Sequence, residues 1–142
     1  MSTSLVVPGR LVVDASVSAS WLFDDEDEPI ATSALADLEV AEGIVPRLWH
    51  YEMRNILLVA RRRQRISARG LADRLSALAE LPLATDVDPD LDRAMDFAER
   101  HGLTFYDALY LELAHRHRAG LATLDAALQR AAKSEGLAFE PG

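Results

Sequence analysis

Leu11-Val12-Val13-Asp14-Ala15-Ser16 is the stretch on which the fold turns. Three apolar residues, two of them β-branched, run straight into an acid, a small residue and a hydroxyl. A short continuous apolar run reads as a buried strand of the kind found in parallel sheets covered on both faces. Asp14 then stands at the strand's carboxyl end, where the next helix begins. Open α/β sheets bind their ligands at that edge. Two readings of Asp14 stay open at this point. It is a helix N-cap whose carboxylate accepts a backbone N–H, or it is a metal ligand or catalytic acid at the sheet edge.

Outward from this stretch, short apolar runs alternate with helical periodicity. A helix is expected over Ser16 to Leu22, and a second from Pro29 to Glu42 with Gly43 closing it as a C′ glycine. Ile44-Val45 reads as a strand stopped by Pro46. Met53, Ile56, Leu57 and Ala60 form the stripe of a long helix. Glu52 and Asn55, three apart, share one face near its start. Arg61, Arg62, Arg63 and Arg65 finish it, either as a solvated C-terminus that suits cations or as a contact for an RNA backbone. Ser67 caps a helix to about Leu81, with Leu71, Leu75, Leu78 and Ala79 inward. Leu83-Ala84-Thr85 is a short strand, and Asp90 to His101 a helix ended by Gly102. Another helix begins around Thr104. Leu121-Ala122-Thr123 is a strand, Leu124-Asp125 leads into a helix to about Ser134, and Leu137-Ala138-Phe139 is a last short strand. This alternation predicts a three-layer α/β/α sandwich around a central, mostly parallel sheet of four or five short strands. It fits one domain over residues 1–142, with 1–9 a loose lead-in.

The 142 residues carry a net charge of −8 and no cysteine. There is therefore no disulfide framework, thiolate zinc site or cysteine nucleophile. The acidic balance argues against a broad non-specific nucleic-acid surface. It leaves room for a nuclease, because acids that hold metal add negative charge and the bound cation reverses the local field. No apolar run reaches the length of a membrane span. No basic region followed by an apolar core opens the chain, so a cytoplasmic protein is expected. The run Asp24-Asp25-Glu26-Asp27-Glu28 reads as a solvated turn before a helix N-terminus, not as a metal site.

Four acids remain. Asp14 follows the first strand, Glu52 lies within one helical turn of the second, and Asp125 follows the strand at Leu121. Right-handed crossovers bring all three to one carboxyl edge, and Asp107 at a helix start faces the same way. Each alone has a bland account as a cap, a helix-dipole partner or a solvated side chain. Together, among apolar and small neighbours, they are harder to dismiss, because buried acids are paired or hold metal. The histidines compete poorly. His115 and His117 point to different faces, and His101 sits at a helix end. Only His50 lies close to the acids in sequence. No glycine-rich phosphate loop is present.

The set Val13-Asp14-Ala15-Ser16, Trp49-His50-Tyr51-Glu52-Met53-Arg54-Asn55, Tyr106-Asp107-Ala108-Leu109-Tyr110 and Thr123-Leu124-Asp125 resembles the PIN domains, and more closely the VapC-type toxins of prokaryotic toxin–antitoxin pairs. The resemblance runs from Leu11 to Phe139. It implies a PIN-like fold and an endoribonuclease dependent on Mg²⁺ or Mn²⁺. Asp14, Asp107 and Asp125 would then be metal ligands, and Glu52 a ligand or the group that orients the attacking water. Ser16, Asn55 and Thr123 would stand behind them or touch phosphate. The resemblance also implies an RNA substrate, a small VapB-like antitoxin as partner, and a homodimer. Carboxylate-held divalent ions suit phosphodiester hydrolysis, since they activate water and neutralise the phosphate. Two other classes remain: a PIN-like module that binds metal or RNA without cutting, and another metal-dependent nuclease or phosphatase. Trp21 and Trp49 are expected to exceed what a small core holds and to serve a partner.

Overall fold

The computed structural model describes residues 3–23 and 26–141. The chain order is β1 (Arg10–Val13), α1 (Ala15–Leu22), α2 (Pro29–Asp37), β2 (Glu42–Pro46), α3 (Arg47–Arg62), α4 (Ala68–Glu80), β3 (Leu83–Asp86), α5 (Leu91–His101), α6 (Phe105–His117), β4 (Gly120–Ala122) and α7 (Ala126–Ser134). The four strands form one parallel sheet in the order β3-β2-β1-β4. The expected α/β architecture is therefore present, with seven helices around the sheet among the described residues.

Strand β1 is central because its residues accept apolar cover on both faces: Leu11, Val12 and Val13 are buried. It pairs with β2 through Val12 and Ile44, and with β4 through Val12 and Leu121. The chain leaves β1 towards β2 and β3, then returns to place β4 on the other side. The strand order thus reverses between β1 and β4. Such a reversal splays the flanking connections and opens a crevice at the carboxyl ends of the strands. Asp14 lies at one lip of it, and Thr123 and Asp125 at the other.

Local signals place most helix ends. Ser67 accepts from Gly70 N, Asp90 from Arg93 N and Thr104 from Asp107 N, so each caps the helix that follows it. Gly102 closes α5 at φ 64°, a left-handed conformation that glycine adopts without steric cost.

Several expectations need correction. The second helix ends at Asp37, not Glu42, and Gly43 lies inside β2. Pairing decides this: Glu42 N donates to Gly9 O, and Gly43 stands opposite Leu11. A Cβ on Gly43 would come within 2.5 Å of Leu83 Cδ2 and 2.7 Å of Leu38 Cδ2, so the glycine permits close packing rather than a helix stop. Of the face expected inward on α4, only Leu78 is buried, and Leu75 and Ala79 are exposed. The stretch 137–139 forms only an isolated bridge, Leu121 to Ala138, and not a fifth strand. Residues 3–9 are not loose, because Leu5 N donates to Gly136 O and Val7 N to Arg118 O. Trp49 is not surplus to the core: it is 2 % exposed.

Candidate active site

Asp14 is both cap and site residue, so the two readings of it do not exclude each other. Its Oδ1 accepts from Val17 N at 3.1 Å, which closes the first turn of α1, and from Ser16 Oγ at 2.6 Å. Its Oδ2 accepts from Thr123 Oγ1. Ser16 Oγ in turn accepts from Leu124 N at 2.9 Å, and Thr123 Oγ1 from Asp125 N at 3.0 Å. These bonds stitch β1 to β4 across the crevice. Asp14 is buried, and burial is the main reason its carboxyl is pushed above the ordinary aspartate range. Its three hydrogen bonds pull the other way, and Asp107 pushes it further up.

Glu52 sits on α3, half-buried, and its Oε1 accepts from the Tyr110 hydroxyl at 2.6 Å. Its carboxyl is raised, first by burial and then by the charges of Asp107 and Asp14, against the lowering effect of the Tyr110 bond. Asp107, in the first turn of α6, is raised by burial and by Asp125. Asp125 lies at the surface, and its Oδ2 caps α7 by accepting from Leu128 N at 2.9 Å. The sequence-predicted acids therefore share one electrostatic neighbourhood at the sheet's carboxyl edge. Asp14, Glu52 and Asp107 act on one another, and Asp125 acts on Asp107. Among the described residues, no cation appears among the groups that act on the three raised acids.

Ser16 and Thr123 each donate their hydroxyl to Asp14. Asn55 is exposed on α3, one turn beyond Glu52. His50 turns away: its Nε2 meets Thr85 Oγ1 at 2.7 Å and its ring packs edge-on against Trp49. His101 pairs with Glu135 at 2.7 Å. Asp24 and Asp25 of the acidic run lie outside the described residues. Glu26 pairs with Arg65 at 2.9 Å, and the Arg65 guanidinium also stacks on Phe23, 4.1 Å from the ring centroid. Arg65 at the end of the basic cluster therefore meets both Phe23 and Glu26.

Two supports went unassigned in the sequence. Trp49 Nε1 donates to Ser18 Oγ at 2.9 Å, and Ser18 Oγ donates to Asp14 O at 3.0 Å. This buried chain ties the backbone at Asp14 to the helix that carries Glu52. Tyr110 is the other. Its spacing of three from Asp107 puts both on one face of α6, which was the available signal. Burial first, then the facing Glu52, push its phenol above the ordinary range.

Among the described residues, no three acids or histidines form a ready-made coordination cage. The donor set nevertheless fits a hard divalent cation. Every donor is a carboxylate or hydroxyl oxygen, and the acids repel one another without a counter-charge. Mg²⁺ keeps several of its own waters and needs only one or two direct carboxylates.

The structure therefore presents a parallel α/β sheet with acids gathered at its switch point. Residues 11–134 match the PIN domain family, and the chain belongs to it. PIN domains are typically nucleases and generally bind divalent metals. No curated protein matches the chain. Among solved structures it is similar to PAE2754 from Pyrobaculum aerophilum, with 26 % identity and a TM-score of 0.63 over 89 % of this chain and 81 % of that one. It is also similar in fold to FitAcB from Neisseria gonorrhoeae, with 16 % identity and a TM-score of 0.66 over 92 % of this chain and 97 % of that one.

Proposed function

We propose that this chain is a single-domain, metal-dependent endoribonuclease that acts in the cytoplasm as the toxin of a VapBC-type pair. The observation that carries the reading is a buried Asp14, held at both oxygens by Ser16 and Thr123, that shares its surroundings with Glu52 and Asp107 and, among the described residues, with no cation acting on the three. Carboxylates forced together in this way favour protonation or a metal ion. RNA as substrate, a VapB-like antitoxin and a homodimer rest on the resemblance of the four motifs. Among the described residues, no helix is long and apolar enough to cross a membrane.

Asp14, Asp107 and Asp125 would hold Mg²⁺ or Mn²⁺, directly or through water, with Glu52 a fourth ligand or the group that orients the attacking water. A bound divalent ion supplies Lewis-acid polarisation of the phosphate and a more acidic water. Ser16 and Thr123 hold Asp14 at both oxygens, so the carboxylate cannot rotate away. Glu52, with its affinity for protons raised, is suited to accept one from the attacking water. The capping bonds at Asp14 and Asp125 fix two acids on helix starts, where backbone N–H groups favour negative charge.

Single-turnover cleavage of a total-RNA pool by purified, antitoxin-free protein tests this. Cleavage should need Mg²⁺ or Mn²⁺ and stop with EDTA. Asp107→Asn should slow it by about 100-fold or more, and adding Asp125→Asn should cost little beyond that, because groups acting as a unit are not additive. Metal-independent cleavage, or full activity in Asp107→Asn, would remove the mechanism. Metal binding without any cleavage would leave a non-cutting PIN-like module.

A further inference from the structure

We propose that Tyr110 is a positioning residue for Glu52: its phenol fixes one carboxylate oxygen and thereby sets how the other meets the ion. What the site does rests on the nuclease reading above; what Tyr110 does rests on geometry. The Tyr110 ring is buried in the core, and its hydroxyl emerges at the site to donate to Glu52 Oε1 at 2.6 Å. Among the described residues this is the one hydrogen bond to the Glu52 side chain.

The other acids are held differently. Asp14 accepts three hydrogen bonds, and Asp125 caps α7. Glu52 lies in the second turn of α3, where backbone N–H groups are already used within the helix. It also has the longer side chain, with more rotamers to lose. Repelled by Asp14 and Asp107, an unheld Glu52 would swing towards solvent. A phenol suits the task because it is neutral. It orients the carboxylate without neutralising it, whereas an arginine at this place would compete with the ion for the same charge. Tyr110 and Asp107 are three residues apart on α6, so one rigid helix sets both the tether of Glu52 and its neighbouring acid. Outer partners of this kind orient the groups that hold a metal, and their loss costs metal affinity.

The test is Tyr110→Phe, which keeps the ring and removes the hydroxyl. Mn²⁺ binding to the RNA-free protein is followed by electron paramagnetic resonance titration, beside single-turnover cleavage and thermal melting. Affinity for Mn²⁺ should fall about 10- to 100-fold, with the cleavage rate falling in step and the melting temperature nearly unchanged. In a Glu52→Gln background the same change should have no further effect on Mn²⁺. Wild-type Mn²⁺ affinity in Tyr110→Phe overturns the proposal, as does tighter binding, which would make the phenol a competitor of the ion. So does a melting loss with unaltered affinity. Should Tyr110→Phe fold poorly, the tyrosine Raman doublet of the wild-type protein carries the test. A donor signature that persists when Mn²⁺ is added supports the role, and its loss on metal loading overturns it. Wild-type protein that binds Mn²⁺ but cuts no RNA would sink the nuclease reading and leave the positioning of Glu52 intact.

Discussion

Two groups of carboxylates sit on α6 and its surroundings, and they are treated in opposite ways. At one, Arg116 reaches between two acids. Its Nε donates to Glu112 Oε2 at 2.7 Å and its Nη2 to Glu112 Oε1 at 3.0 Å, while Nη1 and Nη2 donate to the two Asp86 oxygens at 2.8 Å each. Glu112 is fully buried, yet both its oxygens are satisfied. The Arg116 fork holds Asp86 below the ordinary aspartate range, and the two acids push the Arg116 pKa up. At the other, Asp14, Glu52 and Asp107 are all pushed up, and their partners are hydroxyls, backbone and each other. The same helix thus carries a neutralised pair and an open one. The contrast shows that this fold can compensate acids with arginine, even at the carboxyl end of β3, and that among the described residues it does not do so around Asp14, Glu52 and Asp107.

The largest expected effect falls on the neutralised group. Arg116→Leu strands Glu112 in the core without a partner. Breaking a buried pair from one side costs about 3–5 kcal/mol. Denaturant melts should show a loss of that order, while any metal-dependent activity of the folded fraction at low temperature stays near that of the wild type. A loss under about 1 kcal/mol would show Glu112 finding other partners, and the comparison would lose its force.

The open group should behave in the reverse sense. Asp14 has its carboxyl raised in the fold, so its stabilising contribution is complete below about pH 4 and is lost as pH rises through the folded value. Asp14→Asn keeps an acceptor for Val17 N but removes the charge. In EDTA at pH 7 its melting temperature should equal or exceed that of the wild type, and its stability should fall less steeply from pH 4 to 7. Melts across that range check it. A clear drop at pH 7 would mean that the capping bonds outweigh the burial of charge, by roughly the 1 kcal/mol of a typical cap.

The smallest effect belongs to the surface. Glu26→Gln breaks the ion pair with Arg65, whose two side chains are partly solvated. Exposed pairs contribute about 0.2–1 kcal/mol, so melting should shift by a few degrees at most, less at high salt, with cleavage unchanged. Strong loss of cleavage in Glu26→Gln would extend the open group to the loop after α1 and blur the distinction drawn here.

Periodicity and local chemistry announced most of this architecture. The apolar run before Asp14 marked the central strand, and Asp90 and Gly102 marked both ends of α5, because caps and left-handed glycines act over a few residues. The four acids were legible as a set through their places after strands and at helix starts. What failed was whatever depends on distant packing. Gly43 looked like a helix stop until the strand pairing placed it opposite Leu11, with the Leu38 and Leu83 side chains packed against it. Trp49 looked too large for the core until Ser18 supplied a partner for its indole N–H.

By itself, then, the sequence determined the sheet, its order of βα units and the identity of the candidate acids, since burial patterns and capping are written within one turn or one strand. Only the tertiary structure decided which acid is neutralised and which is not. Tyr110 meets Glu52 from 58 residues away, Thr123 meets Asp14 from 109, and Arg116 meets Asp86 from 30. Charge compensation depends on distance and solvent exposure in space, and neither can be read from spacing along a chain.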